Sequence, residues 1–481
     1  MVDRFSKYNF KQFGALGDNR ADDGPSLRSA VASLAKAGGG SLYIPEGNYI
    51  LVPQTAVSFY AASLTSNTVI ECQPGGRTVF KMGGASTLAG QGAGFFYISG
   101  GSNVAIRHCV FDYNGHRWKA GERLQLYYAV NVDGAASGVL IENNTFLNNP
   151  GTNTVVVGGS GSNHVVRGNH FVNGGKDIPG RSPHTIDHTA IYIAARGVRV
   201  EDNVIGWGAA LGNATGARSG IEVHASEASV RNNRITRATL GIRVEIDTND
   251  AQVTEVELLS NRCTPCITGI WLSAADGVTT QGEFRKLKIE GNHLTAQTSP
   301  SLPGNPAQGI GMARDNATGK TRSVLYDSSL AFNVIEVIPP TAAGNIGLIL
   351  SSLRQVHITG NRFVNGTRAK IQGSSEGIDA LVITQNMFTN ARNFARPSGL
   401  LWFDFSPMGT PAVHPHVRNI VVEHNSFSGD PKSRAVPNVR AFQLDWDAMQ
   451  SAVEGLRFSD NRIAKVSQKT GTAAGMVVVQ P

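Results

Sequence analysis

"VRVEDNVIGWGAALGNATGARSGIEVHASEASVRNNRI" occupies residues 198–235. Three stretches in it, 198–205, 219–226 and 229–235, alternate apolar and other residues with period two. That period is the signature of a half-buried strand. The first and third also end alike, on Asp-Asn-Val-Ile and Asn-Asn-Arg-Ile. Each carries its Asn just before the last apolar residues.

The ending recurs through most of the chain. Asn144, Asn169, Asn203, Asn233, Asn261, Asn292, Asn333, Asn361, Asn386, Asn425 and Asn461 each follow a short alternating run, at steps of 25 to 41 residues. A motif with drifting spacing marks stacked units with variable loops. The Asn is expected to end its strand in left-handed backbone, and stacked copies to form an amide ladder.

Between these copies lies a second strand type, "TNTVVVGG", "TAIYIAA", "SGIEVHA", "LGIRVEI", "TGIWLSA", "QGIGMAR" and "IGLILSS". Two strand types per repeat, in register, predict an all-β chain wound as a parallel β-helix. Its coils would rise ~4.8 Å each, with the right-handed sense that crossovers prefer. Residues 1–50 read as a cap with the first strands, and 51–481 as one continuous β-helix.

The composition agrees. Gly numbers 55 of 481 residues, charged residues make up 16%, and no block of like charge occurs. A turn-rich folded chain follows. The net charge of +7 is scattered. No basic stripe marks a nucleic-acid partner, no long apolar run marks a membrane, and an acidic polymer would suit the surface. No secretory signal is evident after the opening "MVDRFSKYNF". Cys263 and Cys266 form a Cys-x-x-Cys with no second ligand pair, so turn cysteines or a local disulfide are expected rather than a metal site. No cofactor motif is present.

At the N-terminus, Asp22 and Asp23 precede a run with Leu27, Ala30, Val31 and Leu34 on one helical face, and three glycines follow. A capping helix is expected over the first coil. The whole segment "FKQFGALGDNRADDGPSLRSAVASLAKAGGGSLYIPEGNYI" (10–50) resembles the opening of pectate-lyase-superfamily β-helix proteins. That group includes phage tailspike depolymerases, family 28-related glycoside hydrolases, polysaccharide lyases and mannuronan epimerases. The resemblance implies a carbohydrate polymer as substrate, an extracellular or virion-associated setting and a possible homotrimer. It supplies no catalytic residue: the epimerase "YGFDPH"-like segment has only "RSPHTIDH" (181–188) to set against it.

The candidate site comes from aligning the second strand type. One outward column holds Tyr192, Glu222, Arg243 and Trp271; the next holds Ala194, His224, Glu245 and Ser273; two places before the small residue stand His188 and Arg218. Alternation points these columns out of the coil. Later coils carry Gly311 and Ile349 there, so the titratable residues form a patch. Glu222 and Glu245, on neighbouring coils and two positions apart, would lie roughly 8 Å apart between backbones. That suits an inverting glycosidase acid/base pair, with Arg243 holding Glu222 ionised and His224 tuning Glu245. Trp271 and Tyr192 offer faces for sugar rings. The same residues allow β-elimination or C5 epimerisation of a uronate, with Arg243 or Arg218 on the carboxylate and His188, His224 or Tyr192 as base. A third reading is a glycan-binding adhesin without turnover. The inserts at 173–188 and 206–219 bring Arg181, Asp187 and Trp207 towards this patch. Trp402 and Asp404 read as wall residues.

Overall fold

The computed structural model describes residues 6–53, 59–84, 93–114, 128–174, 187–207, 217–247, 252–274, 282–298, 307–312, 323–338, 346–374, 376–391, 398–406, 416–429, 436–446, 453–464 and 466–467. Two compact units divide the chain, Met1–Thr239 and Leu240–Pro481.

In the first unit, successive coils each add one short strand to three parallel sheets. The first sheet pairs Thr68–Cys72, Ala105–Arg107, Leu140–Glu142, Val165–Arg167, Arg199–Glu201 and Ser229–Arg231 in sequence. The second pairs Gly47–Leu51, Thr78–Met82, Val110–Asp112, Thr145–Leu147, His170–Val172, Val204–Gly206 and Arg234–Thr236. The third runs from Tyr60–Ser63 through Gly94–Ser99, Val130–Asp133, Asn153–Val157 and Asp187–Ile193 to Ala217–Val223. Every described pairing is parallel, one coil to the next, which is a parallel β-helix. Inward residues such as Ile141, Phe146, Phe171, Ile191, Ile193, Ile221 and Val223 are buried. Phe111, Phe146 and Phe171 stack face to face, with centroids 5.1 and 4.8 Å apart.

The second unit repeats the plan. Its third-sheet strands begin with Leu240–Ile246, Thr268–Ala274 and Gln308–Met312. Its first-sheet strands lengthen to Ser323–Ala331, Leu353–Thr359, Ile378–Thr384, Val417–Glu423 and Val453–Ser459. Phe363, Phe388 and Phe427 form a second aromatic stack.

The amide ladder exists within each unit. Asn144 donates to Asn169, Asn169 to Asn203 and Asn203 to Asn233, at 2.9–3.1 Å. In the second unit it runs from Asn261 through Asn292, Asn333, Asn361, Asn386 and Asn425 to Asn461. In each of these pairs the accepting Oδ1 also takes the donor's backbone N–H, as from Asn144 to Asn169 at 2.9 Å. One expectation is corrected. The left-handed residue is the one before the ladder Asn: Asn143, Asp202, Asn232, Ser260, Phe332, Gln385 and His424 have φ of 53–57°. The turn is made one residue earlier, and this frees the Asn side chain to point along the stack.

The ladder continues towards the N-terminus covalently. Cys109 stands at the next ladder position, its N–H donating to Asn144 Oδ1 at 3.0 Å. It is disulfide-bonded to Cys72. Cys263 and Cys266, by contrast, are buried and not disulfide-bonded, and Cys266 and burial together push the Cys263 thiol well up.

The expected helix, α1, spans Gly24–Lys36 with Leu27, Ala30, Val31 and Leu34 buried. It packs against Gly40–Ile44 and Tyr60–Ser63. Asp23 does not cap it through its side chain. Its carboxylate accepts the backbone N–H groups of Leu16 and Gly17, at 2.6 and 3.1 Å.

Candidate active site

In the first unit, Ile191, Ile193, Ile221 and Val223 face the core, so Tyr192 and Glu222 face outward. The register sets Tyr192 opposite Glu222, as the column alignment expects. His224 follows directly, its N–H bonded to Ile193 O at 2.8 Å. Its ring lies 4.5 Å from the Tyr192 ring, tilted by 31°. Its Nε2 lies 3.6 Å from Glu222 Oε2. Glu222 is 3% exposed and His224 7%. A phenol, an imidazole and a carboxylate thus meet on one outward face, largely shielded from water. Such shielding strengthens every charge interaction among them.

His188 is placed differently. It is buried, with Nδ1 bonded to Gly151 O. With Trp207, Phe146 and Phe171 it lines a closed pocket of about 10 Å3. Gly174 covers it: a Cβ added there would lie 2.4 Å from His188 Nε2. Trp207 is buried too, its Nε1 donating to Gly174 O at 2.5 Å. Both belong to a packed corner. Alternation sets His188 outward, but it shares its pocket with the inward residues Phe146, Phe171 and Ile205, so its side chain faces the coil interior. The backbones of Asp187 and Arg218 lie in the paired strands, Arg218 opposite His188. Their side chains, and all of Arg181, fall outside the described residues.

The second unit holds the other predicted residues. Arg243 stands opposite Trp271, and Glu245 opposite Ser273. Arg243 Nη2 donates to Glu245 Oε1 at 2.5 Å and its Nε to Ser273 Oγ at 3.1 Å. Glu245 is buried. Gly311 leaves room for the indole, since a Cβ there would come within 2.5 Å of the Trp271 ring.

Further along the same outward columns of the second unit is a cluster that the repeat pattern left aside. Lys370 Nζ lies 2.7 Å from Asp404 Oδ2 and 3.8 Å from the Trp402 ring centre. Trp402 Nε1 donates to Asp445 Oδ2 at 2.7 Å. Burial alone would raise the Asp404 carboxyl; Lys370 overrides it and the net displacement is downward. Burial lowers the nearby Arg368 guanidinium to about 10. Trp402 and Asp404, expected as wall residues, thus stand in a charged cluster with Lys370 and Asp445. The signal lay in the register, with Lys370, Trp402 and Gln443 in one column. Among the described residues no group of three or more His, Cys, Asp or Glu side chains is placed to hold a metal ion.

The family model for a right handed beta helix region matches residues 55–206. The fold is a right-handed parallel β-helix. A tailspike protein of E. coli bacteriophage HK620, in complex with a pentasaccharide, superposes with a TM-score of 0.65 at 15% identity, covering 95% of this chain and 79% of that one. An alginate lyase of Azotobacter vinelandii is 38% identical over 76 residues, 16% of this chain and 9% of the lyase. A mannuronan C5-epimerase of the same organism is 31% identical over 140 residues, 28% of this chain and 16% of the epimerase. The chain therefore spans only a small part of the curated relatives it matches.

Proposed function

We propose that this protein is an enzyme acting on an acidic polysaccharide, with Tyr192, Glu222 and His224 as its reacting centre. The observation that carries the reading is the meeting of phenol, imidazole and carboxylate on one face of the third sheet. Abstraction of the C5 proton of a uronate needs a positioned base, and a proton donor must serve the leaving oxygen. His224, as neutral imidazole, takes the C5 proton. Tyr192 delivers a proton to the C4 oxygen as the C4–O bond breaks, leaving a C4–C5 double bond. If C5 is reprotonated from the opposite face before that bond breaks, the outcome is epimerisation. Glu222 orients the imidazole and stabilises its protonated form, a positioning role. The net charge of +7 favours a polyanionic substrate. The short matches to an alginate lyase and a mannuronan epimerase point the same way.

Hydrolysis with a carboxylate as acid or base is the second reading. Glu222 in the first unit and Glu245 in the second are both buried carboxylates beside basic partners, the kind of residue such chemistry uses. Incubation with alginate and with neutral polysaccharides separates the two. Lyase action gives new ultraviolet absorbance with each new reducing end, epimerisation changes the C5 configuration without new ends, and hydrolysis gives reducing ends alone. The Cys72–Cys109 disulfide supports an oxidising, extracellular or virion-associated setting. Light scattering tests the homotrimer that the resemblance implies.

A further inference from the structure

In the second unit the first-sheet strands are bent by a row of left-handed residues: Asp327, Gln355, Ala380, Asn419 and Gly455, with φ of 47–63°. They stand at matching places in five successive coils. Just before each bend, one column carries Tyr326, Arg354, Asp379, Arg418 and Glu454. The bends make a re-entrant corner, and a cavity of about 730 Å3 lies in it, lined by this column. That volume falls in the usual range for ligand pockets, roughly 300–1,000 Å3. A hollow of about 300 Å3, lined by Lys286, Asp327 and His357, adjoins it through the neighbours Tyr326 and Asp327.

The lining combines fixed and available groups. Arg418 Nη2 donates to Asp379 Oδ2 at 2.7 Å, and Asn419 Nδ2 to Oδ1 at 3.0 Å. The Arg418 hydrogen bond holds the Asp379 carboxyl below its ordinary value, so it is a preset acceptor. Arg354 comes no nearer than 3.9 Å to the Glu376 carboxylate. Glu454 has no ion pair among the described residues, and His416 is exposed at the rim. Planar donors and acceptors spaced one coil apart, ~4.8 Å, can bridge adjacent hydroxyls on successive rings. Tyr326 adds an aromatic wall. Two arginines facing three carboxylates favour a hydroxyl-rich ligand over a polyanion.

We propose that this corner is a second, separate site that binds a neutral pyranose oligosaccharide. It uses none of the residues assigned to the Tyr192 centre, so it stands or falls independently of that reading. The full chain is titrated calorimetrically with maltohexaose, mannohexaose and an oligomannuronate. One of the neutral hexasaccharides is expected to bind, at least tenfold more weakly to Arg354→Ala and to Asp379→Asn, and unchanged to His224→Ala. Thermal melting of Arg354→Ala should match the parent, because its contacts, a 3.9 Å ion pair and a 3.4 Å hydrogen bond to Glu376, lie at the exposed surface. Failure of both neutral sugars to bind, or equal affinity in the corner variants, overturns the proposal. Binding of the oligomannuronate alone overturns it too.

Discussion

The imidazole Nε2 of His224 lies 3.6 Å from Glu222 Oε2, and its ring lies 4.5 Å from that of Tyr192. The account rests on this contact, so its imidazole and its carboxylate should fail differently. His224→Ala removes the base and is expected to lower kcat by roughly 10²–10⁴. Glu222→Gln leaves the base but loosens its orientation; a smaller fall in kcat with little change in KM is expected. Steady-state kinetics with circular dichroism as the fold control checks both.

The ladder should be unequal along its length. Asn292 donates to Leu258 O and to Asn333 and accepts from the N–H and Nδ2 of Asn261. Asn292→Ala strands these buried partners, at about 2–5 kcal/mol. Asn461 is only part-buried, and Asn461→Ala should cost under half as much. Urea titration of both variants tests the ranking.

The disulfide joins residues separated by 37 in sequence. Opening such a loop costs about 3–4 kcal/mol in the chain-entropy description. A Cys72→Ala, Cys109→Ala double variant should therefore show a lower urea midpoint. Cys263→Ala, at a free thiol, tests whether the effect belongs to the bridge: it should leave the response to reductant intact, while the double variant abolishes it.

The Lys370–Asp404 pair sets a pH dependence. Asp404 titrates below the ordinary 3.8, so its contribution is present above that value and is lost as pH falls through the lowered one. Lys370→Met leaves the half-buried Asp404 carboxylate without its cation, at roughly 1–3 kcal/mol near neutral pH. The deficit should shrink as the pH drops and Asp404 takes up a proton. Thermal melts across acid to neutral pH read this directly.

Much of this was legible in the sequence, for physical reasons. Period two places Tyr192 and Glu222 outward because Ile191, Ile193, Ile221 and Val223 must be buried. The Asn ladder shows because one residue type is demanded at every rung. The left-handed turn before it does not show: Asn, Asp, Ser, Phe, Gln and His all occupy it. Period two does not show where a strand's alternation ends, so His188 and Trp207 looked accessible although both pack among Phe146, Phe171 and Ile205. The Cys72–Cys109 bridge precedes the first ladder Asn, where no repeat fixes the alignment. "RAKIQ" (368–372) lacks the small-then-apolar opening of its sister strands, and the Lys370 cluster went with it.

The central claim is that Tyr192, Glu222 and His224 process an acidic polysaccharide. The most direct measurement follows alginate incubated with the parent protein and with folded His224→Ala, reading ultraviolet absorbance and C5 configuration by proton NMR. The account predicts an unsaturated or epimerised product from the parent and its near-complete loss in the variant. Equal turnover by both proteins, or reducing ends from the parent with neither change, would contradict it.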